Sequence, residues 1–172
     1  RTVMDELSVA SAHVFGFSLG GGVALRLAHQ SPDRVDRLAL LQTNVTWTEA
    51  QAQAMRQRLE PDVIRDRSAT RADQLEAHHE HPTRLLRQLR DFVDTLPTAS
   101  EALSDILPDI SASTLVSGMD RDPLFGLDSI HLLHQQLPTS RLAILPGEHH
   151  SLPHAPLSLL APLLRTHFLP GN

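Results

Sequence analysis

Cysteine and lysine are both missing from this 172-residue chain, in which every one of the 15 basic residues is arginine. The absence of cysteine excludes disulfides, thiolate nucleophiles and zinc sites built on sulfur. The absence of lysine excludes Schiff-base chemistry and lysine general bases. Any nucleophile or general base in this protein must therefore be a side chain of another type.

Long apolar runs and basic stripes are also missing. No apolar stretch approaches the roughly 18 to 20 uninterrupted residues that span a bilayer. The 15 basic residues are outnumbered by 20 acidic ones and are scattered, so they form no stripe that could follow a phosphate backbone. With 41% hydrophobic residues and a net charge of -5, the composition predicts one soluble globular domain without nucleic-acid or membrane partners. We expect a cytoplasmic location, although the absence of cysteine does not by itself separate the cytosol from the periplasm.

Short apolar runs alternate with amphipathic stretches along most of the chain. The runs are typical of strands buried on both faces, and they cover residues 12–17, 38–42, 114–117 and 141–145. Apolar side chains three and four residues apart predict helices over residues 19–29, 127–137 and 155–168, and residues 1–7 resemble the end of another. Strand followed by helix, repeated, predicts an α/β fold with a mostly parallel sheet.

The segment 45–110 lacks any strand pattern. Thr46 and Glu49 have the spacing of a capping box and predict the start of a helix. Pro61 and Pro82 predict the starts of two more, because proline is favoured in the first helical turn. We interpret the segment as a helical insertion carried above the sheet, within a single domain that spans residues 1–172.

The strongest local signal is the G-x-S-x-G sequence of residues 16–20, between the first apolar run and the first long helix. A serine on a sharp strand-to-helix turn needs neighbours without side chains. Gly16 and Gly20 would otherwise place Cβ atoms in the turn, and Gly21 and Gly22 would let the helix lie close to the sheet. The alternatives are an idle serine in a glycine-rich turn and an anion site at a helix start.

A serine hydroxyl needs a base to become nucleophilic, and the base needs an orienting carboxylate. Two carboxylates, Asp120 and Asp122, follow the third apolar run, and two imidazoles, His149 and His150, follow the fourth. Because parallel strands place their sites at their carboxyl ends, both loops are expected close to the Ser18 hydroxyl.

The glycine-flanked serine, the order Ser-Asp-His and the two loops resemble the α/β-hydrolase fold family, in the serine-hydrolase, esterase- or lipase-like branch with a helical lid. The resemblance implies that Ser18 is the nucleophile and that the backbone N–H of Leu19 forms half of the oxyanion hole. The family's acid usually stands just before a proline, which favours Asp122 over Asp120, although Asp120 stays open. Alignment on the glycine of the histidine loop favours His150 over His149.

The resemblance also implies a reaction class. A carboxylic ester, lactone or thioester would be hydrolysed through an acyl-enzyme, with a small-molecule acyl substrate and neither cofactor nor metal. Phe17 and Trp47 are candidate substrate contacts, and a packing role for Trp47 is equally open. C–C bond hydrolysis by the same residues, and a non-catalytic α/β fragment or interaction module, are the alternatives.

In this family four strands precede the nucleophile strand, and the loop after the third supplies the second oxyanion donor. No such strands precede residue 12, so we expect this chain to be the C-terminal part of a hydrolase. Loss of one oxyanion donor typically lowers kcat about 10²- to 10³-fold, so weak activity is expected. Association through the unpaired edge of the first strand is also expected.

Histidines cluster just before Pro82, at positions 78, 79 and 81. Consecutive helical positions point in different directions, so at most His78 and His81 share a face. We interpret the cluster as a solvated helix end, and no metal site is predicted.

Overall fold

The computed structural model describes residues 2–147 and 149–171 and divides the chain into two compact units. The α/β unit comprises Arg1–Val45 and Ala102–Asn172, and the helical unit comprises Thr46–Glu101. Arg1, at the start of the first predicted helix, and Glu148, in the predicted histidine loop, lie outside the described residues. Within the described ranges, no helix is both long enough and apolar enough to cross a membrane.

Four strands form the sheet of the α/β unit: β1 (Ala12–Phe17), β2 (Val35–Leu41), β3 (Ser113–Met119) and β4 (Ser140–Leu145). They lie in the order β1-β2-β3-β4, and each is parallel to its neighbours. The predicted α/β fold with a parallel sheet is therefore confirmed. The central strands β2 and β3 are almost entirely buried, whereas β1 and β4 at the sheet edges are partly exposed.

The second strand differs from the predicted run 38–42 at both ends. It begins at Val35, because backbone pairing with Ala12 extends the strand beyond its apolar part. It ends at Leu41, because Gln42 has a φ of 51° and lies outside the β region. Hydrophobicity therefore located the strand, and backbone pairing and conformation set its limits.

Helices connect the strands and form the segment between β2 and β3. In chain order they are α1 (Thr2–Glu6), α2 (Leu19–Gln30), α3 (Glu49–Arg58), α4 (Pro61–Arg67), α5 (Ala69–His78), α6 (Pro82–Val93), α7 (Leu96–Ser104), α8 (Leu127–Gln136) and α9 (Leu157–Phe168). The helices predicted after the first, third and fourth apolar runs are confirmed. The last begins at Leu157 and not at residue 155, because a 3-10 turn, Leu152–His154, precedes it.

Apolar cores lie on both faces of the sheet, because alternate residues of a strand point to opposite faces. The larger core packs α2 and α8 against β2 and β3, and its fully buried members include Leu25, Leu38, Leu40, Val116 and Leu133. The smaller core packs α9 against the other face, and it includes Leu41, Met119, Leu145 and Leu160. Burial of each of these leucine side chains stabilises the folded state by roughly 1.5 to 3 kcal/mol. The sheet is therefore a stable support for the loops at its edge.

The capping box predicted from Thr46 and Glu49 is wrong. Helix α3 begins at Glu49, and Thr48 is its N-cap. The Thr48 hydroxyl accepts the N–H of Gln51 (3.2 Å), and the Gln51 side chain accepts the N–H of Thr48 (2.9 Å). The N–H of Trp47, which precedes the helix, donates to a serine hydroxyl of α7 (3.1 Å). Two overlapping capping patterns were present, and the later one forms both reciprocal hydrogen bonds of a capping box.

The helical unit starts two of its helices where proline predicted them, at Pro61 and Pro82. Its core consists of Ala52, Val93 and Leu96, against which Trp47, Met55 and Leu59 pack. Trp47 therefore packs within the helical unit, which is one of the two roles that the sequence left open for it.

The histidine cluster lies at the end of α5 and in the turn before α6. The His78 ring nitrogen Nδ1 lies 2.7 Å from the backbone oxygen of Gln74, within the same helix. Over the described ranges, no group of three or more histidine or carboxylate side chains could hold a metal ion.

Candidate active site

Ser18 lies on the turn between β1 and α2 in a strained backbone conformation, with φ 52° and ψ −120°. A conformation of this kind costs of the order of 1 to 3 kcal/mol in a residue other than glycine and persists only where surrounding contacts hold it. The Ser18 N–H donates to the carbonyl of Leu41 at the end of β2 (2.9 Å), and its carbonyl accepts the N–H of Gly21 (2.9 Å). These two hydrogen bonds hold the strained turn at the carboxyl edge of the sheet.

Two glycines are sterically required at this turn. A Cβ atom on Gly16 would lie 2.6 Å from the Cα of Gly21, and one on Gly21 would lie 1.9 Å from the Thr43 hydroxyl oxygen. The prediction for Gly20 is wrong, because Gly20 is exposed and a Cβ there would meet no atom within 4 Å. Gly22 is not required either, since its Cβ would only make an ordinary contact, 3.5 Å from a leucine methyl.

Alanine substitution at neighbouring positions should therefore have opposite effects. Gly21→Ala is expected to lower the free energy of unfolding by about 1 to 3 kcal/mol, because its methyl group overlaps Thr43. Gly20→Ala is expected to raise the free energy of unfolding by about 0.5 to 1 kcal/mol, because alanine is the better helix former. Urea denaturation of both variants measures the difference. Equal stabilities would contradict the steric explanation of the turn.

The structure brings Ser18, His150 and Asp122 together. The His150 atom Nε2 lies 2.7 Å from the Ser18 Oγ, and its Nδ1 lies 2.6 Å from the Asp122 Oδ2. An ionised carboxylate only accepts hydrogen bonds, so Nδ1 carries the proton and Nε2 accepts from the serine hydroxyl. The His150 side chain is 10% exposed and that of Asp122 is 0% exposed, so little water competes for these bonds.

Four donors surround the Asp122 carboxylate. Its Oδ1 accepts the N–H groups of Leu124 (2.6 Å) and Phe125 (3.1 Å), and its Oδ2 accepts from His150 and from the Gln42 side chain. Burial raises the pKa of Asp122, but the hydrogen bonds from His150, Leu124 and Phe125 outweigh burial and hold that pKa below its ordinary value. The carboxylate is therefore ionised at neutral pH.

The two residues left open as alternatives do not contact the serine. The Asp120 Oδ1 accepts the N–H of Gly147 (2.9 Å), which joins the loop after β3 to the loop after β4. Two backbone bonds, from the N–H of Asp120 to Leu145 and from that of Arg121 to Gly147, reinforce this link (3.0 Å each). The ring of His149 is directed elsewhere and packs on the ring of His154, with centroids 4.9 Å apart.

Aromatic rings enclose the His150 imidazole on two sides. The ring of Phe17 is tilted against it at 5.2 Å between centroids, and that of Phe125 meets it edge-on at 5.3 Å. Phe17, predicted as a substrate contact, therefore lies beside the imidazole. Trp47, the other predicted contact, belongs to the core of the helical unit. Leu19 is the first residue of α2, where helix geometry leaves backbone N–H groups without acceptors in the helix.

Sequence reasoning missed Gln42 and Phe125. Gln42 carried a weak signal, because it is a polar residue directly after a buried strand at the sheet edge where sites form. Phe125 carried no such signal, because it lies in the loop between β3 and α8, and the path of that loop depends on tertiary contacts.

The chain matches known proteins in sequence. Residues 1–105 match a sequence model described as the alpha/beta hydrolase fold. Over 38 residues the chain is 53% identical to the dihydrolipoyllysine-residue acetyltransferase component of the acetoin cleaving system from Cupriavidus necator, a match that covers 22% of this chain and 10% of that protein.

Solved structures resemble nearly the whole chain. The 2-hydroxy-6-oxo-6-phenylhexa-2,4-dienoate hydrolase from Rhodococcus sp. strain RHA1 has a TM-score of 0.73 at 18% identity, covering 96% of this chain and 66% of that one. The enol-lactonase from Burkholderia xenovorans LB400 has a TM-score of 0.62 at 23% identity, covering 94% and 67%. The chain thus spans about two thirds of the length of these structures, and identities this low show a shared fold alone.

Proposed function

Because the chain belongs to the α/β-hydrolase fold family, we propose that it hydrolyses a carboxylic ester or a related acyl bond, with Ser18 as the nucleophile. The observation that carries the proposal is the unbroken series of hydrogen bonds from the Ser18 hydroxyl through His150 to Asp122. The strained backbone of Ser18 adds support, because strain of this kind concentrates at functional sites.

In the proposed reaction the Ser18 Oγ attacks the acyl carbon while its proton passes to the His150 Nε2. The backbone N–H of Leu19, at the start of α2, would donate to the oxyanion of the tetrahedral intermediate. His150 then gives the proton to the leaving group, which departs and leaves an acyl ester on Ser18. A water molecule then attacks this ester while it gives a proton to the same nitrogen. The second tetrahedral intermediate collapses as His150 returns that proton to the Ser18 Oγ, which restores the serine hydroxyl and releases the acid.

Asp122 would act through the imidazole. Its ionised carboxylate accepts the Nδ1 proton, which keeps Nε2 free to accept the serine proton, and it stabilises the imidazolium that forms. The lowered pKa of Asp122 supports this role, because it keeps the carboxylate ionised at neutral pH.

The proposal extends to the substrate. We expect a small acyl compound and no cofactor, with the helical unit acting as a lid. Phe17 supports an apolar acyl contact, because its partly exposed ring lies beside the imidazole. The contribution of Trp47 to substrate binding is part of the same proposal.

A fluorophosphonate probe tests the proposal without knowledge of the substrate, because such probes modify only serines activated by a base. We expect one adduct per chain, assigned to Ser18 by peptide mass spectrometry and lost when the protein is denatured before labelling. A short-chain p-nitrophenyl ester should slow the labelling by competition. A folded chain, shown by circular dichroism, that stays unlabelled would contradict the proposal and favour a non-catalytic module.

A further inference from the structure

Gln42 is the first residue after β2 and the largest polar side chain in the fully buried set, at 0% exposure. Its φ of 51° lies in the left-handed region, which costs a residue other than glycine of the order of 1 kcal/mol or more. Its N–H still donates to the carbonyl of Ser117 in β3 (2.9 Å). A buried, strained, polar residue persists where its side chain makes contacts that compensate these costs.

Both ends of the Gln42 amide have a partner. The Oε1 atom accepts the N–H of Met119, the last residue of β3 (3.0 Å), and the Nε2 atom donates to the Oδ2 of Asp122. A backbone N–H can only donate and a carboxylate can only accept, so the two contacts allow a single orientation of the amide. The side chain is therefore a fixed bridge from the sheet to the carboxylate.

The oxygen that Gln42 contacts is the one that accepts the Nδ1 proton of His150. The other oxygen of Asp122 accepts the two backbone N–H groups of its own loop, from Leu124 and Phe125. The carboxylate has four lone-pair sites in its plane, and these four donors match that number. Without Gln42, Oδ2 would lose its only contact with the sheet among the described donors.

We propose that Gln42 is a positioning residue, which holds the Asp122 carboxylate in the orientation that His150 requires. The expected effect of Gln42 on the reaction rate rests on the proposed function. Its expected effect on the His150–Asp122 hydrogen bond rests on geometry alone. Gln42 is fully buried, and its side chain acts on the site through its hydrogen bond to Asp122.

The test compares Gln42→Met with Ser117→Ala. Methionine keeps the length of the side chain but removes both hydrogen bonds. Ser117→Ala removes another buried hydrogen bond at the same pair of strands, from the Ser117 hydroxyl to the Leu40 carbonyl (2.7 Å), without touching Asp122. The readouts are the rate constant of fluorophosphonate labelling, the low-field proton resonance of the His150 Nδ1–H and the urea midpoint.

We expect Gln42→Met to lower the labelling rate at least about tenfold, since small misplacements of catalytic groups have effects of this size or larger. The Nδ1–H resonance should shift or broaden in the same variant. Ser117→Ala should lower the urea midpoint and leave the rate and the resonance unchanged. A folded Gln42→Met protein with the wild-type rate and resonance would overturn the inference, and so would equal rate losses in both variants.

Gln42→Glu provides a second variant should methionine prevent folding. When protonated, its carboxyl group accepts from Met119 and donates to Asp122 as glutamine does, whereas its ionised form has no proton to donate. The labelling rate relative to wild type should therefore be better preserved at acidic pH than at alkaline pH. A loss of relative rate as large at acidic pH as at alkaline pH would also overturn the inference. Absence of labelling in the wild-type protein would refute the proposed function instead, and the Nδ1–H resonance of the variants would then decide the role of Gln42 by itself.

Discussion

Replacement of Ser18 by alanine is expected to reduce the hydrolysis of a small p-nitrophenyl ester to the uncatalysed background. Where the nucleophile of a serine hydrolase is removed, kcat falls by roughly 10⁴- to 10⁶-fold, because no acyl-enzyme can form. His150 and Asp122 remain in place, so the loss measures the nucleophile itself. Steady-state assays of wild type and variant under identical conditions provide the measurement.

Ser18→Gly is the matched control for the backbone. Glycine tolerates the φ of 52°, so this variant should unfold at higher urea concentration than Ser18→Ala while being equally inactive. A kcat within about tenfold of wild type in both folded variants would show that Ser18 is not the nucleophile. If Ser18→Gly is inactive but more stable than the wild type, the strained backbone at Ser18 lowers stability and is retained because catalysis needs the hydroxyl.

The second large effect is expected at Asp122, with Asp120 as its matched control. Asp122→Asn should lower kcat by about 10⁴-fold, because the asparagine amide can donate to Nδ1 and stabilise the wrong imidazole tautomer. A protonated Nε2 cannot then accept the serine proton. Asp120→Asn should change kcat by less than about threefold, since its carbonyl oxygen still accepts the N–H of Gly147.

The two asparagine variants also separate the two carboxylates experimentally. Their charge change is the same and they lie two residues apart, so a general electrostatic effect would act on both. A comparable loss of kcat in both variants would contradict the assignment of Asp122, and a loss confined to Asp120→Asn would reverse it. Urea midpoints of the two proteins show whether either loss reflects unfolding.

The strands and most helices followed from local patterns, because a continuous apolar run or a 3.6-residue periodicity is visible within a few residues. The errors occurred where a local pattern had two solutions. Thr46 and Thr48 both had capping partners three residues ahead, and only Thr48 forms the capping box in the structure. The sequence predicts a need for glycine at both Gly20 and Gly21, for different reasons, yet only Gly21 faces Thr43, which follows the next strand.

The sequence by itself determined that a serine stands on a glycine-flanked turn after a buried strand, with carboxylates and imidazoles after two later strands of one parallel sheet. Those features are local, and the rule that parallel strands place their carboxyl ends at one edge brings them to the same region. Only the tertiary structure decided that His150 faces Ser18 and that Asp122 faces His150. It also decided that Asp120 joins two loops and that Gln42 bridges β3 to the Asp122 carboxylate. Neighbouring side chains in a loop point in different directions, and the register and packing of distant strands set which of them reaches the serine.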